Sequence, residues 1–513
     1  MTHFTRTASV TALLCLSATM SQALTADTLW ASWQETATRA GLSLTAEAET
    51  REGATLRLSG ISLSDGGSAT GPETAGEAML DEILLTEAAD GSVSIVPSAE
   101  LDMAMSGPES GPEEGSLTLT QTGMTLTATE AAGGGTSYQM AAESLVMAGE
   151  TTMASPMSTD ASAPQLATQT FDIGFANLAG TVDQVSGSNR SVVVGMTADE
   201  LRYDIAASDA AMESNSVQTS ATQDLALNAT FTLPATMMLA ALTTPEAWAA
   251  AFAEGMALTI KTTQGESVGS VTEENPYMPL DMAVTAQPGI TDISVGKDGM
   301  AVESTAGGLQ VKVQSTMLPF PSLDVGIGPV EVAMSIPLMA GEVAQDFGLR
   351  FKLADVTVND EAWAMIDPGA SLPRDPMQLS IDTSGTAKLD LFTLMAADQS
   401  GMTEVQPPQP ETLNITELSL RAIGAVVSGT GAFTFDNASG TPVPVGEATV
   451  SVQGANAVID KLIALGVLTE QDAGGARMMM AMFMTPVSGP DDLTSKVETK
   501  ADGSIFVNGQ QIQ

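Results

Sequence analysis

Residues 349–353, Leu-Arg-Phe-Lys-Leu, alternate apolar and cationic side chains and carry the clearest signal for the fold. The same period of two recurs in Leu-Gln-Val-Lys-Val-Gln at residues 309–314 and in the Leu- and Thr-rich stretch 116–128. Successive side chains of a strand point to opposite faces, so this alternation is typical of an antiparallel sheet that is solvated on one side. We therefore predict a mainly β fold with a long antiparallel sheet.

Three Asp-Gly pairs, at residues 90–91, 298–299 and 502–503, lie between such alternating runs. Asp and Gly both tolerate a positive φ, so each pair predicts a tight hairpin in which both residues adopt one. Further strands are predicted at residues 377–381, 387–391, 418–422 and 433–435.

A few short helices are expected to cover edges or ends of the sheet. The first contains Trp30 and Trp33 and is expected to end at Gly41. Thr-Pro-Glu at 244–246 combines a cap, a first-turn Pro and an acid that the helix dipole favours, and predicts the start of a second helix. Later helices are predicted at residues 361–366, at residues 456–465 and after Thr469.

A sheet with one apolar face cannot leave that face in water. It can close on itself as a sandwich or a barrel-like structure, curl into a groove, or be covered by helices. The sequence leaves these alternatives open. Leu349, Phe351 and Leu353 are the candidate residues of the apolar face.

The chain carries few of the side chains that catalysis needs. Its single Cys15 and single His3 both lie in the first 23 residues, which have the pattern of a removed export signal. The Gly-x-Ser-x-Gly pattern around Ser267 lacks the His that would take its proton, and the Ser-x-x-Lys pattern at Ser294 leads into a hairpin tip instead of opening a helix. We therefore predict no enzyme, and neither catalytic, metal-binding nor cofactor-binding residues.

Residues 1–23 resemble a secretory signal, with Arg6, an apolar run over residues 8–18 and the ending Ser-Gln-Ala. Cleavage after Ala23 would give a mature protein that begins at Leu24 and is periplasmic. No later run approaches the roughly 18 to 20 apolar residues of a spanning helix, so we predict no transmembrane span in the mature chain.

Acidic residues dominate the charge, with 62 Asp and Glu against 18 Lys and Arg and a net charge of −44. Such a chain repels phosphates, so nucleic acid is excluded as a partner. The acidity is typical of a solvated surface, and the alternative is binding of divalent cations or of a basic partner. Polar, Pro-containing stretches at 151–168 and 403–412 suggest linkers, which divides the mature chain into regions 24–150, 151–402 and 403–513.

Four local strings carry a family resemblance. They are Trp-Ala-Met-Ile-Asp-Pro at 363–368, Leu-Pro-Arg-Asp-Pro at 372–376, Gly-Ala-Arg-Met-Met-Met at 475–480 and Asp-Gly-Ser-Ile-Phe-Val-Asn-Gly at 502–509. The chain thereby resembles uncharacterised-protein family 2125, a domain of unknown function in alphaproteobacteria. The resemblance implies a Gram-negative periplasm and supplies no catalytic residues. The closing helix, strand and Asn-Gly ending are also similar to AsmA-like envelope proteins.

The sequence leaves three functions open for a chain of this kind. The first is binding or shielding of a lipid or other apolar envelope molecule on a sheet face. The second is a structural or protein-interaction module of the cell envelope, with a closed core and no small ligand. The predicted partner is accordingly a lipid or an envelope protein. An enzyme relying on carboxylates is a third alternative, and with 62 acids in the chain the sequence offers no specific pair.

Overall fold

The computed structural model describes residues 24–39, 42–65, 78–106, 114–131, 134–155, 157, 165–185, 189–235, 237, 242, 244–339, 343–389, 391, 408–438 and 440–513. The protein is mainly β, with 64% strand and 13% helix, and its strands pair antiparallel. The predicted fold class is therefore confirmed. The chain divides into two compact units, residues 1–285 with 315–317 and residues 286–314 with 318–513.

Among its described residues, the first unit contains the helices α1 (Ala26–Arg39) and α2 (Pro245–Ala253). Its strands are β1 (Leu42–Glu52), β2 (Thr55–Asp65), β3 (Ala78–Glu87), β4 (Val93–Pro97), β5 (Glu100–Ser106), β6 (Glu114–Thr122), β7 (Thr125–Glu130), β8 (Thr136–Ala154), β9 (Leu166–Val185), β10 (Asn189–Asp209), β11 (Ser214–Pro234), β12 (Ala257–Gln264), β13 (Ser267–Glu274) and β14 (Leu280–Ala286).

The second unit contains the helices α3 (Asp360–Ile366), α4 (Ala455–Ala464) and α5 (Glu470–Phe483). Its strands are β15 (Gly289–Gly296), β16 (Gly299–Ala306), β17 (Leu309–Gln314), β18 (Leu323–Ile327), β19 (Val330–Ile336), β20 (Gln345–Val358), β21 (Met377–Lys388), β22 (Gln409–Ala422), β23 (Ala425–Asp436), β24 (Val443–Gln453), β25 (Thr485–Gly489), β26 (Asp492–Thr499), β27 (Ile505–Val507) and β28 (Gln510–Gln511).

Long neighbouring strands dominate the first unit. β8, β9, β10 and β11 have 19, 20, 21 and 21 residues and pair in that order. At about 3.4 Å per residue they are roughly 65–70 Å long. β6 and β7 both pair with β8, while β12 and β13 both pair with β11.

A line of irregular residues crosses these long strands. Gly123, Asn177 and Asp224 have positive φ values of 62°, 49° and 51°. The register places Asn177 beside Glu143 on β8 and Asp224 beside Asp199 on β10, and Asn177 donates a side-chain hydrogen bond to Asp199 at 2.8 Å. The ladders skip these residues and resume in the same register on either side, so the line is a local irregularity in each strand. The line therefore divides each long strand into a part near α1, called proximal below, and a distal part.

Helix α1 closes a core over the proximal part. Trp30 and Trp33 pack edge to face with ring centroids 6.3 Å apart, and both belong to a buried cluster with Leu58 and Leu85. Trp33 donates its indole N–H to the hydroxyl of Tyr138 on β8 at 3.1 Å. The predicted Trp-containing helix is confirmed, and it covers one end of the sheet; its expected end at Gly41 lies outside the described residues.

The second unit is a meander. β15, β16, β19, β20, β21, β22, β23, β24 and β26 lie side by side in that order, each antiparallel to the next. β17 pairs with β18, and β18 joins β20 over two residues. β25 and β27 pair with β26, and β28 pairs with β27.

The predicted helix starts are confirmed at their caps. Thr244 accepts a hydrogen bond from the backbone N–H of Ala247 at 3.3 Å, and Thr469 accepts one from Asp472 at 3.2 Å. Caps of this type satisfy N–H groups that have no partner within the helix.

The three Asp-Gly hairpins are present, but the turn geometry predicted for them is wrong. In each pair only the glycine has a positive φ: 85° at Gly91, 114° at Gly299 and 81° at Gly503. At 90–92 and 502–504, where the sequence is Asp-Gly-Ser, the Asp carboxylate accepts hydrogen bonds from the backbone N–H and the hydroxyl of the Ser, at 2.6–3.0 Å. A side chain that bonds to its neighbouring backbone stabilises a turn without a left-handed Asp.

Two strand predictions need correction. The strand expected at 377–381 and the first two residues of the one expected at 387–391 belong to one strand, β21, because the ladder with β20 continues across the residues between them. β21 ends at Lys388, so the strand predicted at 387–391 is wrong beyond that residue. The proposed linkers also contribute to strands: residues 151–154 belong to β8, residues 166–168 to β9 and residues 409–412 to β22. β8 and β9 pair with each other, so the stretch between them connects a long hairpin.

Candidate functional site

Three rows of side chains cross the second unit without a charged residue. Residues that pair across antiparallel strands share a face, so the register identifies each row. From β16 to β26 the rows pass through Leu349, Phe351 and Leu353 on β20. The first row is Val302, Met334, Leu349, Thr383, Ile415, Gly431, Ala448 and Val497; the second is Ser304, Val332, Phe351, Ile381, Leu418, Gly429, Val450 and Ser495; the third is Ala306, Val330, Leu353, Leu379, Leu420, Val427, Val452 and Leu493. We call these rows the apolar strip.

The opposite face of the same strands carries the charges. Arg350 forms an ion pair with Asp382 at 3.0 Å, and Lys352 forms one with Glu331 at 3.4 Å. These residues alternate with those of the strip along each strand. Along the three described rows, these strands therefore have one polar, ion-paired face and one face without charge.

The apolar strip is partly open to solvent, although Leu493 and Ser495 at its β26 end are buried. Leu349, Leu418 and Leu420 are 41%, 37% and 39% exposed, while Phe351 and Leu353 are half-buried. Full burial of a leucine side chain stabilises a fold by about 1.5–3 kcal/mol. Because these leucines are partly exposed, the chain alone gains only part of that free energy. Large exposed apolar areas of this kind mark ligand-binding or interaction surfaces.

Aromatic rings and glycines pair on this face. A Cβ built on Gly385 would lie 2.6 Å from the ring of Phe347, its partner on the neighbouring strand. The ring therefore lies over the glycine instead of standing away from the sheet. The first unit repeats the arrangement with Gly149 and Phe171, where the distance would be 2.4 Å. Because these rings lie over glycines, they project little from the surface of the sheet.

The sequence motifs for serine chemistry lie on strands. Ser267 begins β13 and donates a hydrogen bond to the hydroxyl of Thr222 at 2.8 Å. Ser294 lies in the middle of β15, and Lys297 follows at the turn. Ser267 is therefore not at the strand-to-helix turn that a nucleophile elbow needs, and Ser294 does not open a helix as the Ser-x-x-Lys pattern requires.

Acidic side chains gather on the polar face of the long strands. Glu150, Asp172 and Asp204 line an open hollow of about 590 Å³ that spans β6 to β11. Within the described ranges, no group of three or more His, Cys, Asp or Glu side chains is arranged to hold a metal ion.

A buried carboxylate belongs to the corner that follows α3. Asp367 is buried and accepts hydrogen bonds from the backbone N–H groups of Ser371 and Leu372 at 2.9 and 2.6 Å. Burial raises its pKa, but these hydrogen bonds, with one from the Ser371 hydroxyl, together hold the pKa below its usual value. Arg374 lies over the ring of Trp363, 6.0 Å from its centroid. The strings at 363–368 and 372–376 thus build one structural corner.

Sequence reasoning identified one strand of the strip and missed the rest. Leu349, Phe351 and Leu353 share a face as expected, but Leu418 and Leu420 on β22, two strands away, follow a bulge that shifts the alternation by one residue. The signal was present as the spacing of three between Ile415 and Leu418, which a strict period of two does not accommodate.

Comparisons with known proteins place the chain in a family. Among the described residues, no helix has both the length and the apolar character that crossing a membrane requires. No curated protein matches the chain. A family model described as an uncharacterized protein conserved in bacteria, DUF2125, matches residues 218–508 and so takes in all three rows of the apolar strip. This match covers more than half of the chain and confirms the resemblance carried by the four local strings, and the chain therefore belongs to the DUF2125 family.

Proposed function

We propose that this protein is a non-enzymatic periplasmic protein that binds or shields a lipid, or another apolar envelope molecule, on the apolar strip of its second unit. The observation that carries the proposal is the absence of charge from three rows of paired residues, of which Leu349, Leu418 and Leu420 are more than a third exposed. A surface without charged groups favours a ligand that needs none, because a polar ligand would lose its hydration without compensation.

The net charge limits the class of lipid. At −44, the chain repels anionic headgroups before they reach the strip. We therefore infer that the preferred ligand has an uncharged or zwitterionic head.

A protein-interaction role is the second candidate, and one observation favours it. Met478, Met479 and Met482 on α5 are all exposed. Their spacing places them on one side of the helix. Flexible methionine side chains suit adaptable protein contacts. This surface lies on a helix and not on the strip, so the two candidates depend on different residues.

The first test is purification without detergent from a Gram-negative host, followed by native mass spectrometry. We expect a bound species that organic solvent extracts and that lipid analysis identifies. Phe351→Asp and Leu418→Asp should each reduce its occupancy by about tenfold or more, since a carboxylate in the strip must be dehydrated when the ligand covers it.

The matched control is Thr430→Asp, which places the same carboxylate on the polar face of β23. This variant should keep wild-type occupancy. If Phe351→Asp and Leu418→Asp abolish the cooperative thermal transition, and no lipid accompanies the wild-type protein, the strip is part of a closed core and the protein-interaction alternative stands.

A further inference from the structure

One face of the long strands in the first unit is more buried near α1 than farther along the strands. Near α1, Tyr138 on this face is buried in the tryptophan core, and Ala142, Leu178 and Ala198 are buried beside the line of irregular residues. Beyond this line most side chains of the face are half-buried, while Leu117 is buried and Gln218 is exposed. The core that closes the proximal part thus ends at the line.

The distal part of this face has the same charge-free pattern as the apolar strip. Its rows of cross-strand partners are Leu119, Met147, Ile173, Tyr203 and Ser220; Leu117, Gly149, Phe171, Ile205 and Gln218; and Gln121, Leu145, Phe175, Leu201 and Thr222. We call these residues the distal face. The alternate residues of the same strands include Glu150, Asp172 and Asp204, which point to the other side.

We propose that the distal face is a second, separate binding site for a hydrocarbon chain, the apolar part of a lipid with an uncharged head. The proposal does not depend on the function proposed for the second unit. β8, β9 and β10 lie outside the part of the chain that the family model matches.

The composition of the distal face favours a hydrocarbon over a protein partner. Protein interfaces as a whole are only about 56–65% apolar and carry many hydrogen bonds. On β8 and β9 the three rows present only Leu145, Met147, Gly149, Phe171, Ile173 and Phe175, without a side-chain donor or acceptor at these positions. A ligand that makes no hydrogen bonds is the best match to such a surface.

The charge of the chain selects the headgroup. The carboxylates Glu150, Asp172 and Asp204 lie on the reverse side of the same strands, and the chain as a whole carries −44. An anionic head would be repelled near this surface, whereas a long-chain alcohol or another uncharged lipid would not.

Photolabelling tests the site directly. The full mature chain would be mixed with a long-chain fatty alcohol that carries a diazirine, irradiated, and digested for peptide mapping by mass spectrometry. We expect labels on the distal face, at Met147, Ile173 and Tyr203, and not at Asp172 or Asp204 on the reverse side. An excess of unlabelled hexadecanol should suppress them.

A pair of variants adds a matched comparison. Ile173→Lys places a charge on the distal face, and Thr170→Lys places the same charge on the reverse side of β9, beside Glu150. We expect about tenfold less labelling of β8, β9 and β10 in the first variant and wild-type labelling in the second. The wild-type map decides the question even if Ile173→Lys fails to fold.

The outcomes separate this proposal from the one for the second unit. Labels on the apolar strip alone, or labels on neither face, would overturn the distal site. Labels on the distal face alone would support it and count against lipid binding by the strip. Equal labelling of both sides of β9 would show nonspecific capture and also overturn the distal site.

Discussion

At the scale of single residues, the start of α1 depends on one ion-paired carboxylate. Glu87 at the end of β3 accepts a hydrogen bond from the backbone N–H of Ala26 at 2.9 Å and an ion-paired hydrogen bond from Arg51 at 2.8 Å. Arg51 also pairs with Asp27 on the helix, at 2.6 Å. The Arg51 hydrogen bond, and then the Ala26 N–H, lower the pKa of Glu87 below its ordinary value. The carboxylate thus connects the helix to the sheet beneath it.

Glu87→Gln should lower the stability of the folded chain by about 1 kcal/mol at pH 7, because it removes the charge that Arg51 and the helix N-terminus stabilise. A depressed pKa in the folded state contributes stability above the unfolded value of about 4.5, and this contribution is lost as the pH falls through the lower folded value. The difference between variant and wild type should therefore be present at pH 7 and shrink below about pH 4.5. Urea unfolding followed at several pH values measures it.

Glu52→Gln, at an exposed position at the end of β1, is the control and should have little effect at any pH. A deficit of Glu87→Gln that stays constant down to pH 3 would contradict a role for the charge.

At the scale of elements, the spacing of neighbouring strands depends on the close contacts of one glycine, Gly385. A Cβ at Gly385 would lie 2.2 Å from the backbone oxygen of Thr412 and 2.6 Å from the ring of Phe347. At Gly429, two strands away on the same face, the nearest atoms would be 3.5 Å distant, which is ordinary contact. Gly385 therefore leaves no room for a side chain, whereas Gly429 does.

Gly385→Ala should destabilise the second unit by about 1–3 kcal/mol, because the backbone of β22 must move to admit the methyl group. Gly429→Ala should be neutral or stabilising by about 0.5–1 kcal/mol, since it restricts the unfolded chain and meets no close neighbour. Chemical denaturation of the two variants compares them. Equal losses in both would show that the close contacts at Gly385 do not determine its role.

At the scale of the whole molecule, residues 1–23 lead to a prediction about where in the cell the protein is found. Residues 1–23 lie outside the described residues, so the export signal rests on sequence alone. If it is cleaved after Ala23, the mature chain begins at Leu24, and Ala26, two residues later, is the first residue of α1. The proposed cleavage point therefore lies just before the first helix.

N-terminal mass analysis of the protein released by osmotic shock should give Leu24 as the first residue. The protein should appear in the periplasmic fraction, and a chain shortened to begin at Leu24 should remain in the cytoplasm. An intact Met1, or an acyl group on Cys15, would contradict the prediction.

The sequence could predict elements wherever the local pattern was sufficient. The alternation at 349–353 predicted β20, the Thr-Pro-Glu cap predicted the start of α2, and the spacing of Trp30 and Trp33 predicted α1. Each depends on a period or a cap that lies within a few consecutive residues. The candidate residues of β20 were found for the same reason, since a strand's own alternation decides which of its side chains share a face.

The sequence by itself therefore determined the mainly β class, the short capped helices, the acidity and the family resemblance. The tertiary structure alone decided which strands are neighbours, that the irregular residues Asn177 and Asp224 line up across the long strands, and that the row through Phe351 contains no charge. These features join residues far apart in the chain, and pairing between distant strands is set by register and burial, which no local period contains.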